Sequence, residues 1–285
     1  SESGEIIEKT YVPDDNFEQA LIDLGYDDTL DNYVNTSNII QVATLPISGK
    51  GISNLDGIED FISLQELDLS QNNLTELDLS NNINLLSLNL NNTGLTSLDI
   101  SNSSNLNYLS AIDNQLESLD ISNNPLIKDL ILDRNNILSL DLSNNDALEN
   151  ISLSDNKFTS IDLSNNTSVK EVVIDRNNIS SINLSNNQNL DYLSILNNQL
   201  TSIDLSANTK LDFLNLGDSS SNNTNEISSI DLLNNTLLTN INLGGLGLTS
   251  IDLSSNSILK SLYVSGNKLN SLEISNNTKL EILYA

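Results

Sequence analysis

Residues 64–74 read LQELDLSQNNL, and the pattern LxxLxLxxNxL returns along most of the chain. Other copies are LLSLNLNNTGL over 85–95, LNYLSAIDNQL over 106–116, LENISLSDNKF over 148–158 and LKSLYVSGNKL over 259–269. We call the second apolar residue of each copy the anchor. The anchors are Leu67, Leu88, Leu109, Leu130, Ile151, Val172, Leu193, Leu214, Ile241, Leu262 and Leu283. The step is 21 residues except for one of 27 between Leu214 and Ile241, and a fixed period of this length predicts a solenoid.

A second series of short segments, of the form SLDLSNN, lies between the anchors. The first apolar residue of each segment is, in chain order, Leu77, Leu98, Leu119, Leu140, Ile161, Ile182, Ile203, Ile230, Ile251 and Leu272. In both series the apolar residues are two apart, which places them on one face of an extended strand. A helix would need spacings of three and four. Neither series can bury its apolar face alone, so stacked turns should enclose a Leu/Ile core between two extended walls.

The array resembles the leucine-rich-repeat superfamily, in particular bacterial members with a nested 21-residue repeat. The resemblance covers residues 45–285 as about eleven turns. It implies a right-handed solenoid with a parallel β-sheet on the concave face and an extended convex wall with little helix. At about 4.8 Å per strand, eleven turns would span roughly 50 Å.

The N-terminal region departs from the repeat. We expect a flexible segment over 1–10 and a small helical cap over 11–44. In PDDNFEQALIDLG (13–25), Asp15 and Glu18 fit a capping box, an apolar face is formed by Phe17, Leu21 and Leu24, and Gly25 supplies a stop. The region resembles the start of internalin-type repeat domains and secreted proteins of flavobacteria.

Charge and composition exclude several functions. With 11 basic and 39 acidic residues, the formal net charge is -28, which opposes binding to nucleic acid or to an anionic membrane. The chain contains neither His nor Cys, so the usual general base and thiol nucleophile are missing. We therefore predict that it is not an enzyme and uses no cofactor. No run of 18 apolar residues exists, so we expect no membrane insertion.

The location must be inferred indirectly. The chain starts SESGEIIEKT without Met, as a processed product would. N-x-S/T triplets begin at Asn73, Asn91, Asn150, Asn178, Asn234 and Asn276. Glycans at these sites would obstruct a repeat array, which favours a bacterial origin. We expect a secreted or cell-surface protein. The sequence stops at LEILYA, half-way through a turn, so either the natural protein continues or the open strand edge mediates self-association.

Two polar series have structural interpretations. The resemblance implies that the Asn of each copy, at 72, 114, 135, 156, 177, 198 and 267, points inward and bonds buried backbone groups. Thr93 and Leu246 depart from this pattern, so looser turns are expected there. The acidic series comprises Asp78, Asp99, Asp120, Asp141, Asp162, Asp204, Asp231 and Asp252, with Asn183 and Glu273 as substitutes. Calcium bridging residues such as Asp120 and Asp141 is one reading, but flanking Ser residues favour an exposed, metal-free row.

The candidate binding site is the concave face, because its residues vary from turn to turn. The candidate ligand-binding residues are Tyr108, Ile112, Ile131, Arg134, Val173, Arg176, Tyr192, Leu196 and Phe213. Clustered apolar residues on a solvent-facing sheet usually mark an interaction site. The alternative is that they are scattered residues of high β propensity. An insertion near 219–224 is either a tolerated loop or a lip that contacts a ligand over Gly244 and Gly245.

These features predict an extracellular or surface recognition module for a protein partner, acting in binding or adhesion. Polysaccharide binding is an alternative, in which Tyr192 and Phe213 would stack on sugar rings. A purely structural spacer is a further alternative, and it would bind no ligand.

Overall fold

A computed structural model describes residues 8–218 and 223–285. The chain divides into two compact units, residues 1–127 (unit 1) and 128–285 (unit 2). Each unit contains a stack of repeat turns, and the strands of these turns are parallel, as the resemblance to leucine-rich repeats implied. Among the described residues, no helix has the length and apolar character needed to cross a bilayer.

Unit 1 contains the N-terminal cap and the first turns. The cap elements are β1 (Lys9–Tyr11), α1 (Asp15–Asp23), β2 (Tyr33–Asn35) and α2 (Thr36–Ile39). The turns contribute β3 (Thr44–Pro46), a 3-10 helix (Ile58–Asp60), β4 (Glu66–Asp68), β5 (Ser87–Asn89) and β6 (Tyr108–Ser110). β1 and β2 are antiparallel, whereas β3 to β5 pair in parallel with the strand that follows each. Lys9 and Thr10 lie in β1, so the flexible segment expected over 1–10 does not extend that far; residues 1–7 lie outside the described residues.

Unit 2 consists of repeat turns. Its strands are β7 (Asp129–Ile131), β8 (Asn150–Ser152), β9 (Glu171–Val173), β10 (Tyr192–Ser194), β11 (Phe213–Gly217), β12 (Asn240–Leu243), β13 (Ser261–Tyr263) and β14 (Ile282–Tyr284). From β7 to β14, each strand pairs in parallel with the next one of this unit. Across these pairs the anchors face one another, as Leu193 faces Leu214, and both are fully buried. The part of unit 2 that the structure describes contains no helix.

The SLDLSNN segments form the opposite wall. In unit 2 their second leucine is buried, as for Leu163, Leu205 and Leu253, while the flanking polar residues remain exposed. No strand is assigned to these segments among the described residues. The core is therefore a double row of aliphatic side chains between the sheet and an extended wall. This agrees with the wall of little helix expected from the repeat.

The inward Asn series is confirmed. Asn156 is buried; its Nδ2 donates to the carbonyl of Leu132 at 2.9 Å, and its Oδ1 accepts from the N–H of Ile137 at 3.0 Å. After the insertion, Asn225 takes the same role, with its Oδ1 accepting from the N–H of Leu200 at 2.9 Å. The N–H groups of Ile137 and Leu200 thus gain an acceptor in the core, where an unpaired donor is costly.

Looser turns were expected at Thr93 and Leu246, but both side chains are buried. The two residues are 0% and 2% exposed. The Thr93 hydroxyl donates to the carbonyl of Leu90 at 2.9 Å, which replaces one bond of the missing amide. A hydroxyl can therefore take part of the amide's place in the core.

A second inward Asn series was missed at the sequence level. It is the last Asn of SLDLSNN, whose members include Asn82, Asn166, Asn187, Asn208, Asn235, Asn256 and Asn277. The Nδ2 of Asn187, for example, donates to the carbonyls of Leu163 at 3.1 Å and Asn166 at 2.9 Å. The preceding Asn186 is exposed and donates to the carbonyl of Ser164. Two adjacent, identical residues thus have opposite environments.

The helical cap closes the first turn, but its capping differs from the predicted box. Asp14, not Asp15, is the N-cap of α1, and its Oδ1 accepts from the N–H groups of Asn16 and Phe17. Glu18 is fully buried and accepts from the N–H groups of Asp31 and Tyr33 instead of bonding back to the N-cap. A buried carboxylate needs such partners, and the loop before β2 supplies them.

Candidate functional site

We define the outer sheet face of unit 2 as the side chains directly before and after each anchor. The residues before the anchors are Asp129, Asn150, Glu171, Tyr192, Phe213, Asn240, Ser261 and Ile282. Those after the anchors are Ile131, Ser152, Val173, Ser194, Asn215, Asn242, Tyr263 and Tyr284. Since successive side chains of a strand point to opposite sides, this face is turned away from the core.

Two of the predicted residues form one aromatic stack. Tyr192 and Phe213 are register partners in β10 and β11. Their ring centroids are 4.2 Å apart and the planes are parallel. Both residues are half-buried. Each ring covers one face of the other, so the stack presents the remaining ring faces and the ring edges.

A carboxylate without a partner adjoins the stack. Glu171 in β9 is the register partner of Tyr192, on the side away from Phe213. It is half-buried, and its side chain makes no hydrogen bond or ion pair within the described residues. Burial raises the pKa of Glu171, and the charges of Asp191 and Asp129 raise it further. Burial and the charge of Glu171 also raise the pKa of Tyr192.

A second carboxylate near the stack is bonded. The Oδ1 of Asp175 accepts from the Ser194 hydroxyl at 2.7 Å and from the Leu196 N–H at 2.8 Å. The Nδ2 of Asn215 in turn donates to the Ser194 hydroxyl oxygen at 3.0 Å. Burial raises the pKa of Asp175, although both of its bonds act in the opposite direction. This chain of bonds fixes the backbone at Leu196, whose side chain is half-buried.

The two predicted arginines do not lie on the sheet strands. Arg134 and Arg176 occupy the position directly before the inward Asn, with φ of 55° and 52°. Other turns have left-handed residues at the same position, including Asp155 with φ 54°. Arg176 is engaged: its Nε and Nη2 donate to the two carboxylate oxygens of Asp155 at 2.6 and 2.7 Å. Both arginines are exposed at the corner where the chain leaves the sheet.

The other predicted residues are dispersed. Tyr108 in β6 and Ile112 belong to unit 1, and both are half-buried. In unit 2, Ile131 lies in β7, and Val173 in β9 is the register partner of Ser194. The role of all these residues in binding stays a prediction.

Sequence reasoning missed a second stack. The rings of Tyr263 and Tyr284, register partners in β13 and β14, are 4.9 Å apart at an interplanar angle of 9°. Tyr284 is 57% exposed. The sequence contained the information needed to predict this stack, because Tyr263 and Tyr284 each directly follow an anchor, in successive turns.

The insertion begins where β11 and β12 approach closely. A Cβ on Gly217 would lie 2.1 Å from the carbonyl oxygen of Gly244, so only glycine fits there. Asn223 donates from Nδ2 to the same carbonyl at 3.1 Å. Close backbone packing thus accounts for Gly217. Residues 219–222 lie outside the described residues, and whether the insertion contacts a ligand stays a prediction.

The acidic series lies on the opposite wall and caps its own turns. Asp162 Oδ1 accepts from the Ser164 N–H at 2.9 Å, and this bond and one from the Ser164 hydroxyl lower the pKa of Asp162. The same lowering occurs at Asp78, Asp99, Asp141, Asp204, Asp252 and Glu273. Within residues 8–218 and 223–285, no three acidic side chains converge to hold a metal ion. Calcium at Asp120 and Asp141 remains untested.

Shallow grooves separate successive turns of this wall. One, of about 270 Å³, is bordered by Asp78 and Asp99, and another, of about 220 Å³, by Asp204 and Asp231. Both grooves are lined by the same repeated residue types. They therefore arise from the stacking of the turns and do not mark a specific binding site. The outer sheet face has the greater side-chain diversity.

The nested repeats, the parallel sheet and the inward Asn series define the chain as a leucine-rich-repeat solenoid. It is similar to bacterial internalin-like repeat proteins of known structure. The functional domain of InlJ from Listeria monocytogenes, which includes a cysteine ladder, matches with 28% identity and a TM-score of 0.78, over 96% of this chain and 65% of that one. The chain therefore spans less than two thirds of that structure's length, and it contains no cysteine.

Two further structures show the same fold. A leucine-rich-repeat protein of Leptospira interrogans matches with 25% identity and a TM-score of 0.79, over 87% of this chain and 67% of that one. An internalin of Listeria monocytogenes matches with 22% identity and a TM-score of 0.63, over 95% of each chain. No protein-family model and no curated protein matches the sequence.

Proposed function

We propose that the chain is a non-enzymatic recognition module that binds a protein partner through the outer sheet face of unit 2. The observation that carries this proposal is the half-buried stack of Tyr192 and Phe213. An aromatic anchor surrounded by polar groups is the usual arrangement of an interaction hot spot. Glu171, Asp175 and Asn215 supply such a polar surround.

The geometry favours a protein over a polysaccharide. Sugar rings bind to open aromatic faces, but each ring of the stack has one face covered by the other ring. The remaining surface, with apolar edges and a bonded loop at Leu196, suits a side chain inserted from a folded partner. A structural spacer would have no reason to place two aromatic rings on a solvent-facing sheet.

We also propose that the protein acts outside a bacterial cell, in binding or adhesion. The similarity to repeat proteins of Listeria and Leptospira supports this location. Fractionation of the source bacterium tests it. The protein should occur in the medium or on the protease-accessible surface, and a purely cytoplasmic pool would contradict the proposal.

The binding mode is tested by presenting the purified chain to a panel of extracellular proteins and to a glycan array. We expect binding to a panel protein, and we expect the Tyr192→Ala/Phe213→Ala double variant to lose it while melting normally. Binding to glycans alone, or binding that the double variant retains, would overturn the proposed mode.

A further inference from the structure

We infer that the partner places a basic side chain, arginine or lysine, against the carboxylate of Glu171 and the adjacent ring of Tyr192. This inference rests on the proposed function and specifies the chemistry of the partner. It follows from three features. Glu171 has no hydrogen-bond or ion-pair partner among the described residues, the basic side chains near it are paired with other carboxylates, and an aromatic ring lies beside it.

The first feature is the surroundings of Glu171. The register partner of Glu171 in β8 is Asn150, whose side-chain Nδ2 donates to Asp129. The amide of Asn150 is therefore directed away from Glu171. Its neighbour in β10 is Tyr192, which makes no hydrogen bond to it among the described residues. A half-buried carboxylate without a donor is poorly solvated, and a cation from outside would restore the lost interactions.

The second feature is that this chain's own nearby cations are engaged elsewhere. Lys170, directly before Glu171, pairs with Glu149, and Lys128 approaches the same carboxylate at 3.6 Å. Arg176 is held in a two-pronged pair with Asp155. Among the described residues, the carboxylate of Glu171 is therefore left without a counter-ion, on a chain whose net charge is -28.

The third feature is the ring of Tyr192. One of its faces is covered by Phe213, while its other side adjoins Glu171 in the register of the sheet. A guanidinium or ammonium group is attracted to an aromatic face and forms charge-assisted hydrogen bonds to a carboxylate. Carboxylate and ring together thus fit a cation better than a neutral amide. Arginine, which is planar, can satisfy both at once.

The test uses three fluorescent peptides of sequence GRGRGR, GKGKGK and GQGQGQ, with blocked ends, and the full chain at 150 mM salt. The variants are Glu171→Gln and the matched control Glu66→Gln. Glu66 also directly precedes an anchor, carries the same charge, and lies in β4 opposite Ser87 with no aromatic register partner. Cooperative melting of both variants, at a temperature no lower than that of the parent chain, confirms that they are folded.

We expect the basic peptides to bind and GQGQGQ not to bind. Glu171→Gln should weaken binding of GRGRGR roughly tenfold, as the loss of a charged hydrogen-bond partner would, whereas Glu66→Gln should change it less than about twofold, because a distant surface charge is screened. The inference is overturned if no basic peptide binds, if GQGQGQ binds equally, or if the two variants behave alike. A panel protein that needs Tyr192 and Phe213 but tolerates Glu171→Gln would also overturn it, and would leave the proposed function standing.

Discussion

Tyr192 stacks on Phe213 with ring centroids 4.2 Å apart, because the two residues precede the anchors of adjacent parallel strands. We predict that Tyr192→Ala or Phe213→Ala each reduces affinity for a protein partner by at least about 1 to 2 kcal/mol. Titration calorimetry measures this. Folding should be retained, because both rings lie outside the core.

The matched control is Ser87→Ala or Asn89→Ala, on strand β5 of unit 1, which should leave affinity unchanged. A complex in which the partner contacts only the SLDLSNN wall or the edge of β14 would show that the stack is not the hot spot.

The two adjacent asparagines of SLDLSNN provide a sharp stability comparison. Asn187→Ala should lower the free energy of unfolding by about 1 to 3 kcal/mol, because it removes two buried hydrogen bonds to the carbonyls of Leu163 and Asn166 and leaves each carbonyl with its backbone donor alone. Asn186→Ala removes a bond at the exposed surface and should cost less than about 0.5 kcal/mol. Urea unfolding of both variants checks the difference, and equal losses would contradict the inward role of Asn187.

The acidic series should make stability depend on pH. Hydrogen bonds from Ser164 lower the pKa of Asp162 below its ordinary value of 3.8, so its stabilising effect is present above that value and is lost as the pH falls through the lowered one. Replacing Asp141, Asp162 and Asp204 together by Asn should reduce the acid dependence. Asn183 shows that Asn can still accept the Ser185 N–H bond. Unfolding at pH 7 and below pH 3.8 measures this, and an unchanged pH profile would refute it.

Calcium should not be required for folding. Neighbouring carboxylates of the acidic series are stabilised by their own Ser residues, as Asp99 is by Ser101, so a bridging cation is not needed to hold them. We expect EDTA to leave the melting temperature unchanged beyond the effect of ionic strength, with magnesium as the control cation. A specific stabilisation by calcium would show that the row binds metal.

Glu171 should destabilise the unliganded protein at neutral pH. Burial raises its pKa above the ordinary 4.5, so its contribution to stability is greatest below 4.5 and is lost as the pH rises through the raised value. Glu171→Gln should therefore raise the melting temperature at pH 7, and the difference should vanish below pH 4.5. The control Glu66→Gln, at an exposed side chain that accepts from the Thr44 hydroxyl, should not raise the melting temperature at pH 7. A lower melting temperature for Glu171→Gln at pH 7 would mean that the carboxylate has a stabilising partner.

The pairing of residues across the sheet could be predicted, because residues one repeat period apart occupy the same position in successive turns. Tyr192 and Phe213 are 21 residues apart, as are Tyr263 and Tyr284, and residues one period apart become neighbours across parallel strands. The place of Arg176 could not be predicted in this way. It lies at a left-handed corner, where the direction of the chain depends on backbone angles that the apolar period does not specify.

By itself, the sequence determined the strand positions and the buried anchors, because a fixed apolar period brings equivalent residues together in successive turns. The inward Asn followed from the resemblance to leucine-rich repeats. The tertiary structure decided which of Asn186 and Asn187 is buried, that Asp14 and not Asp15 caps α1, and that Glu171 lacks a counter-ion. These outcomes depend on which carbonyls, N–H groups and charges from adjacent turns come within bonding distance. Such contacts form between adjacent turns, and the pattern of apolar residues along the sequence does not specify how polar side chains are oriented there.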